Sequence, residues 1–377
     1  MTPIPSGHRG PVLHLNHALL PSTETFVQQR LRPTEQGSIA LGWSRVADGL
    51  ELPCPALVLP DRRSGPDLSR LVRAKARAFE ELDLLRAVRR VKPAVLHAHF
   101  GPIGLRALNV ARLLGLPLLV SFYGFDVGHA ARSETRKKYE ALFRYACVTA
   151  EGPYLLKQMR ALGARRTALL PLQLPDWCCA QPLARVPSSG PLRLLQVCRL
   201  VPKKGVDLSI RAVAAARARG LPVRLEIVGD GPDRSTLELL RDSLGQQDAV
   251  TFAGSRPHSE LAGLFSRADA LLQPSRTTPE GDTEGGHPAV VLEAQAQGLP
   301  VVATVHADIP LVVQHGVTGL LVSEGDLSGL AAALSNLSRV DRTRMGTLAR
   351  ARALRRHAPR KVKRLQGRIY KRATGAR

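Results

Sequence analysis

The sequence predicts an α/β protein of two doubly wound domains joined by a linker, and three observations predict it. Short apolar runs rich in Val, Leu and Ala alternate with helical stretches of about 10 to 20 residues, the rhythm of strand–helix–strand units around a parallel sheet. That rhythm breaks once, in a Pro- and Ser-rich stretch without period, and then restarts. The length of 377 residues suits two domains of ordinary size, and an apolar fraction of 44% supplies a core for each.

In the first half the expected strands are Pro11–Leu15, Ser38–Trp43, Pro55–Leu59, Ala94–Phe100, Pro117–Phe122 and Ala146–Ala150. The break is LPLQLPDWCCAQPLARVPSSGP, Leu170 to Pro191. Six more strands follow, at Leu192–Cys198, Val223–Gly229, Ala249–Gly254, Ala268–Ser275, Pro300–Thr304 and Gly319–Val322. The expected organisation is a first domain over 1–175, a linker over 176–190 and a second domain over 191–340. A basic helical tail over 341–377, able to pack back on the first domain, completes it. Two such domains place a ligand cleft outside the carboxyl ends of both sheets.

The net charge of +23 is the strongest compositional feature. It favours polyanions, whether nucleic acid, an anionic membrane face or phosphorylated substrates; an arginine-rich composition also follows from genome bias. The segment from Arg342 to Arg377 is dense in Arg and Lys and free of acid, and a second basic stretch runs from Ser69 to Pro93. Aromatics are 4%, too few for the stacking platforms of single-strand binders. No apolar run reaches the roughly 18 residues of a spanning helix, and the first residues lack the pattern of a secretory signal. Cys54, Cys147, Cys178, Cys179 and Cys198 show no CxxC spacing and read as free thiols of a reducing cytosol.

Several stretches could carry chemistry. In LLQVCRLVPKKGVDLSIRA a strand ends at Cys198, and Arg199 and Lys204 flank a turn before a helix. Cations there form an anion site fit for a diphosphate, or an ordinary solvated turn; spacing does not choose. VGDGP, with Gly231, closes a strand and opens a helix, although it is neither a dinucleotide fingerprint nor a phosphate loop. In GDTEGGHPAVVLEAQAQGLPVVAT, Pro288 suits the first turn of a helix and Gly298 its stop. Glu284, Gly285 and Gly286 then precede the helix, where free amides bind ligand oxygens, and Glu293 falls in its second turn. Capping or surface roles are the alternative for either glutamate. His97 and His99 share one face of a strand, and the nearby sequence offers no further metal ligand. Tyr123, Gly124 and Asp126 end another strand, and Thr23, Glu24 and Thr25 begin a capped helix at the same rim.

Taken in order, HAHFG, FYGFD, RLVPKKG, VGDGP, EGGHPAVVLEAQAQGLPVVAT and GVTGLLV resemble the retaining, family 4 nucleotide-sugar glycosyltransferases, roughly from Pro11 to Ser338. STETFV, HAHFGP, FYGFDV and GDTEGG are most similar to the branch that assembles exopolysaccharides of the colanic-acid type. The resemblance implies a GT-B architecture, two doubly wound Rossmann-like domains facing a central cleft, the first for the acceptor and the second for the donor. It implies transfer from a nucleoside diphosphate sugar, UDP- or GDP-linked, with no further cofactor and no metal. The acceptor is a hydroxyl of a glycan or of a polyprenyl-diphosphate-linked glycan. The setting is cytoplasmic, with peripheral contact to an anionic membrane and no nucleic acid partner.

By the same resemblance Arg199 and Lys204 hold the donor diphosphate, Glu284 the sugar and Glu293 the ribose. Gly231 belongs to the donor site, and Gly285, Gly286 and His287 offer backbone donors to the sugar. His99 lies near the reacting sugar, while Glu24, Thr25, Tyr123 and Asp126 form the acceptor side. Three departures stand out. Eight residues, not seven, separate Glu284 from Glu293, Tyr123 stands where many relatives carry His, and PSTETF replaces a glycine-rich loop. A nucleotide-sugar epimerase of the same fold is the nearest rival; a nucleic-acid-binding protein would explain the charge but not the EGGHP helix start.

Overall fold

The computed structural model of the chain describes residues 10–21, 24–46, 49–62, 70–124, 126, 133–180, 182 and 190–375. Thr23 and residues 181 and 183–189 of the expected linker lie outside them. The chain divides into two compact units, residues 1–173 with 360–377, and residues 174–359.

Unit 1 begins with β1 (Val12–Leu15), β2 (Ala18–Leu19), α1 (Thr25–Leu31), β3 (Ser38–Gly42), β4 (Ser44–Arg45) and β5 (Ala56–Val58). It continues through α2 (Arg70–Val91), β6 (Val95–His99), α3 (Gly101–Leu113) and β7 (Leu118–Phe122). Then come α4 (Ser133–Tyr145), β8 (Cys147–Ala150), α5 (Pro153–Ala161) and β9 (Thr167–Leu169). The parallel sheet has the order β5-β3-β1-β6-β7-β8-β9, so the direction of winding reverses between β1 and β6. Leu13, Leu15, Leu96, Val120 and Val148 fill one face, and Val12, Val95 and Leu119 the other. Burial on both faces explains why these strands read as continuous apolar runs.

Unit 2 holds α6 (Asp176–Cys179), β10 (Leu192–Val197), a 3-10 turn (Pro202–Lys204), α7 (Val206–Ala218), β11 (Val223–Val228) and α8 (Arg234–Ser243). It continues with β12 (Val250–Gly254), α9 (Leu261–Arg267), β13 (Ala270–Gln273), α10 (Ala289–Ala296) and β14 (Val301–Thr304). Next are α11 (Ile309–Val312), β15 (Gly319–Val322), α12 (Leu327–Leu337) and α13 (Arg342–His357). Its parallel sheet runs β12-β11-β10-β13-β14-β15, with the reversal between β10 and β13. In open α/β sheets the point of reversal opens a crevice at the carboxyl ends of the strands, and ligands bind there.

Every expected strand is present, all but Gly319–Val322 with trimmed ends, and three differences are instructive. β9 was not foreseen, because it is only three residues long and runs directly into the Pro-rich stretch. The stretch from Leu170 is no plain linker: Leu170, Leu172, Leu174 and Cys178 are buried, and α6 forms within it. The basic tail is two helices, since Pro359 disfavours helical geometry at Ala358 and ends α13. The last helix, α14 (Pro359–Thr374), lies almost wholly in unit 1. It buries Val362, Gln366, Ile369, Tyr370 and Thr374, one face at helical spacing, and leaves its cations on the other.

Candidate active site

In unit 2 the site grows from strand ends at the reversal. β10 ends at Val197 and leads through exposed Arg199 into the 3-10 turn that carries Lys204. Gly205 follows with φ +63°, and a Cβ there would overlap Pro274 O, so only glycine lets this turn lie against the end of β13. The result is that Lys204 Nζ meets both oxygens of Glu284, at 2.8 and 2.7 Å. Ser275 Oγ donates to Glu284 Oε1 at 2.8 Å and accepts from Gln273 Nε2 at 2.8 Å. Lys203 Nζ secures the same loop through Asp282 Oδ1 at 2.9 Å and Thr283 O at 3.1 Å. Burial opposes the charge on Lys204, and the Glu284 carboxylate outweighs it, holding the ammonium pKa above its usual value. Burial likewise opposes ionisation of Glu284, and Lys204 prevails, holding the carboxyl below its usual range.

The loop then turns through Gly285, φ +71°, into α10, whose N-cap is Pro288 rather than a residue of its first turn. The amides of Gly285 and Gly286 have no hydrogen-bond partner among the described residues. His287 turns inward: its ring sits edge-on to His357, and burial, followed by the nearby His357, pushes its pKa down to about 3. Glu293 is buried in α10 and its Oε1 lies 3.2 Å from His258 Nε2. Gly231 packs so closely on Leu200 that a Cβ would overlap the Leu200 carbonyl, which fixes VGDGP against the start of the basic turn. The structure thus brings Lys204, Glu284, Ser275 and the unpaired amides of Gly285 and Gly286 together. His258, His306 and Glu324 belong to the same edge and went unforeseen, because each comes from a distant strand end with no local motif.

Unit 1 places different chemistry at its reversal. β1 and β6 pair with His14 opposite His97, and the two expected imidazoles become three. His14 Nδ1 lies 3.1 Å from His99 Nε2, and His99 Nδ1 lies 2.9 Å from Tyr123 Oη. His97 meets Tyr370 Oη at 2.7 Å and Ser121 Oγ at 2.8 Å. All three rings are buried, which lowers their pKa values, to about 3 for His14. Their nitrogens lie within 4.8 Å of one another, a geometry that could hold a metal ion. Every ring nitrogen except His14 Nε2 is already bonded within the protein, so a cation would have to break this network.

Two of the expected site residues have their side-chain bonds made within unit 1. His99 is fully buried with both nitrogens occupied, so it offers no atom to a sugar here. Asp126 is equally closed: it accepts from Gly101 N at 2.9 Å and Tyr123 N at 2.8 Å, pinning the start of α3. Burial raises its pKa to about 7, against the pull of those two amides. Tyr123 is likewise buried. Glu24 is the N-cap of α1 by position only; its carboxylate makes no cap bond and instead accepts from Asn16 Nδ2 at 2.6 Å. Glu24 and Thr25 keep partial exposure.

Residues 184–352 match the family Glycosyl transferases group 1. Over 271 residues the chain is 32% identical to WcaL of Salmonella typhimurium, provisionally named a colanic acid biosynthesis glycosyltransferase, covering 68% of this chain and 65% of WcaL. It is 37% identical over 163 residues to the amylovoran biosynthesis glycosyltransferase AmsK of Erwinia amylovora, covering 43% of this chain and 40% of AmsK. These alignments span less than two thirds of each relative. The crystal structure of HepE from Anabaena in complex with UDP superposes with a TM-score of 0.78 at 18% identity, over 96% of this chain and all of that one. That likeness shows the fold, which is the GT-B architecture of two Rossmann-like domains. Within this fold, the match to Glycosyl transferases group 1 falls on residues 184–352, most of unit 2.

Proposed function

We propose that the protein is a retaining, metal-independent glycosyltransferase that moves a sugar from a nucleoside diphosphate donor to a hydroxyl of a glycan or lipid-linked glycan, in cell-surface or exopolysaccharide assembly. One observation carries the reading: Lys204 and Glu284 meet at the sheet reversal of unit 2, beside the unpaired amides of Gly285 and Gly286. Exposed Arg199 and half-buried Lys204 supply two cations for a diphosphate, and Glu284 with the amides supplies acceptors and donors for sugar hydroxyls. The names of WcaL and AmsK support the polysaccharide setting. The UDP held by HepE supports a nucleotide donor, UDP- or GDP-linked.

The departing diphosphate takes the acceptor proton on the face it leaves, and no protein nucleophile enters. Arg199 and Lys204 stabilise the charge that develops on it, and burial strengthens the contribution of Lys204. Glu293, fixed by His258, faces the nucleotide ribose, and Gly231 keeps the adjoining backbone close. His99, Tyr123 and Asp126 act by holding the edge of unit 1 in shape, while Glu24 and Thr25 are the acceptor-side residues with exposed surface. A cytoplasmic enzyme at the inner membrane face suits the charge, since each basic residue near an anionic surface contributes about 1 kcal/mol. Arg360, Arg364, Arg368 and Lys371 of α14 line a groove of 490 Å³ in unit 1.

A radiolabelled-donor assay tests the reading: Lys204→Ala reduces turnover on the order of 10²-fold or more. Near-normal transfer by that variant overturns the diphosphate role. Release of an epimerised donor without acceptor favours the epimerase instead.

A further inference from the structure

His306 and Glu324 lie outside every motif discussed so far, at the carboxyl ends of β14 and β15. His306 is almost fully buried. Its Nε2 receives the backbone N–H of Glu284 at 3.2 Å and lies 3.1 Å from Thr283 Oγ1. Its Nδ1 lies 2.7 Å from Glu324 Oε1. A backbone N–H can only donate, so Nε2 must be bare, and the proton of a neutral ring must then sit on Nδ1 and point at Glu324. The tautomer is therefore set by the chain itself.

Glu324 does more than orient the ring. Its second oxygen accepts the backbone N–H of Thr277 at 2.8 Å. One carboxylate thus holds the loop at Thr277 directly and at Glu284 through His306. Between these points the loop closes on itself, Thr278 N donating to Asp282 O at 2.9 Å and Asp282 N to Thr278 Oγ1 at 3.1 Å. Thr304 Oγ1 donates to Ser275 O at the start of the same loop.

We infer that His306 and Glu324 are positioning residues of the donor site: a neutral, Nδ1-protonated imidazole and its carboxylate partner that fix the loop 277–284 so that Glu284 stays on Lys204. The inference rests on the function proposed above for that site. With Glu284 N anchored and α10 regular from Ala289, the chain between them turns through Gly285, which has the left-handed φ.

Three measurements on the full chain test it. First, imidazole ¹⁵N shifts of His306 at about pH 7 show a bare Nε2 and a protonated Nδ1; the opposite tautomer, or a protonated ring, overturns the proposal. Second, His306→Ala lowers kcat about 10- to 100-fold, while UDP or GDP alone binds as well as to the parent or better, because Lys204 is released from Glu284. A matched loss of nucleotide affinity and kcat, or no change in kcat, overturns it. Third, His306→Gln, which keeps an acceptor oxygen within reach of Glu284 N, restores most of the kcat lost in His306→Ala; recovery no better than alanine overturns it. Failure of the parent protein to bind any nucleotide or to transfer sugar overturns the proposed function instead, and the tautomer measurement stands apart from that outcome.

Discussion

The two sheets reverse direction at the same kind of place and put opposite chemistry there. In unit 2 the strand ends carry an ion pair, Lys204 with Glu284, and just beyond it two buried glycines whose amides are unpaired among the described residues. In unit 1 they carry three buried, neutral imidazoles whose bonds close on Tyr123, Ser121 and Tyr370. The lesson is that topology locates a crevice and side chains decide its use. A charged edge with unmet donors is equipped to take a ligand, whereas a neutral edge whose ring nitrogens are all bonded but one is equipped to hold its own shape. The buried guanidinium of Arg30, which donates to Leu170 O and Pro171 O at 2.6 Å, also helps keep the rings uncharged.

The largest expected effect sets the two edges against each other in one assay. Lys204→Ala loses on the order of 10²-fold or more in turnover, and His99→Gln loses less than about 10-fold; equal losses would erase the distinction. Stability is the second readout. His97→Ala leaves the Tyr370 and Ser121 hydroxyls without their ring partner and costs about 2–3 kcal/mol by urea denaturation. Lys204→Ala also costs stability, because it leaves the buried Glu284 carboxylate without its cation, so its turnover is read on protein shown to be folded.

A pH series sharpens the point. His14, His97, His99 and His287 have folded pKa values below the ordinary 6.5, chiefly through burial. A depressed histidine binds fewer protons folded than unfolded, so its stabilisation is complete above 6.5 and is lost as pH falls toward the folded value. Each ring adds up to about 1.4 kcal/mol per pH unit in that window, and His14→Asn makes the melting curve measurably less acid-sensitive. Asp126 has the contrary sign: its raised pKa lowers stability as pH climbs from its ordinary 3.8 to about 7. The smallest expected effect is none. Chelation with EDTA leaves turnover and melting temperature within about 2-fold and about 1 °C; a marked fall in melting temperature would place a cation among the imidazoles.

Much of the fold was legible because buried parallel strands announce themselves as apolar runs. Lys204, Gly231, Glu284 and Glu293 were legible for another reason, since each sits in a short motif whose turn or helix start needs particular residues. His14, His258, His306 and Glu324 were not. Each joins its partner across strand pairing or a loop, between 18 and 85 positions away, where no window of sequence contains both. His99 and Asp126 show the converse, since their place in a motif marked them as important without telling whether they face a ligand or the interior.

The division of the chain has a consequence for how the protein is made. Unit 2 is one continuous segment, 174–359, whereas unit 1 needs α14 to cover Val12 and Val95 and to give His97 its Tyr370 partner. A ribosome adding about 5 to 20 residues each second spends roughly ten seconds or more between Gln173 and Arg360. For that interval the first sheet has one face without its helix, and unit 2 can be complete before unit 1 is. The unit translated first is the unit finished last, and a chaperone that shields apolar strand faces has its natural client in that gap.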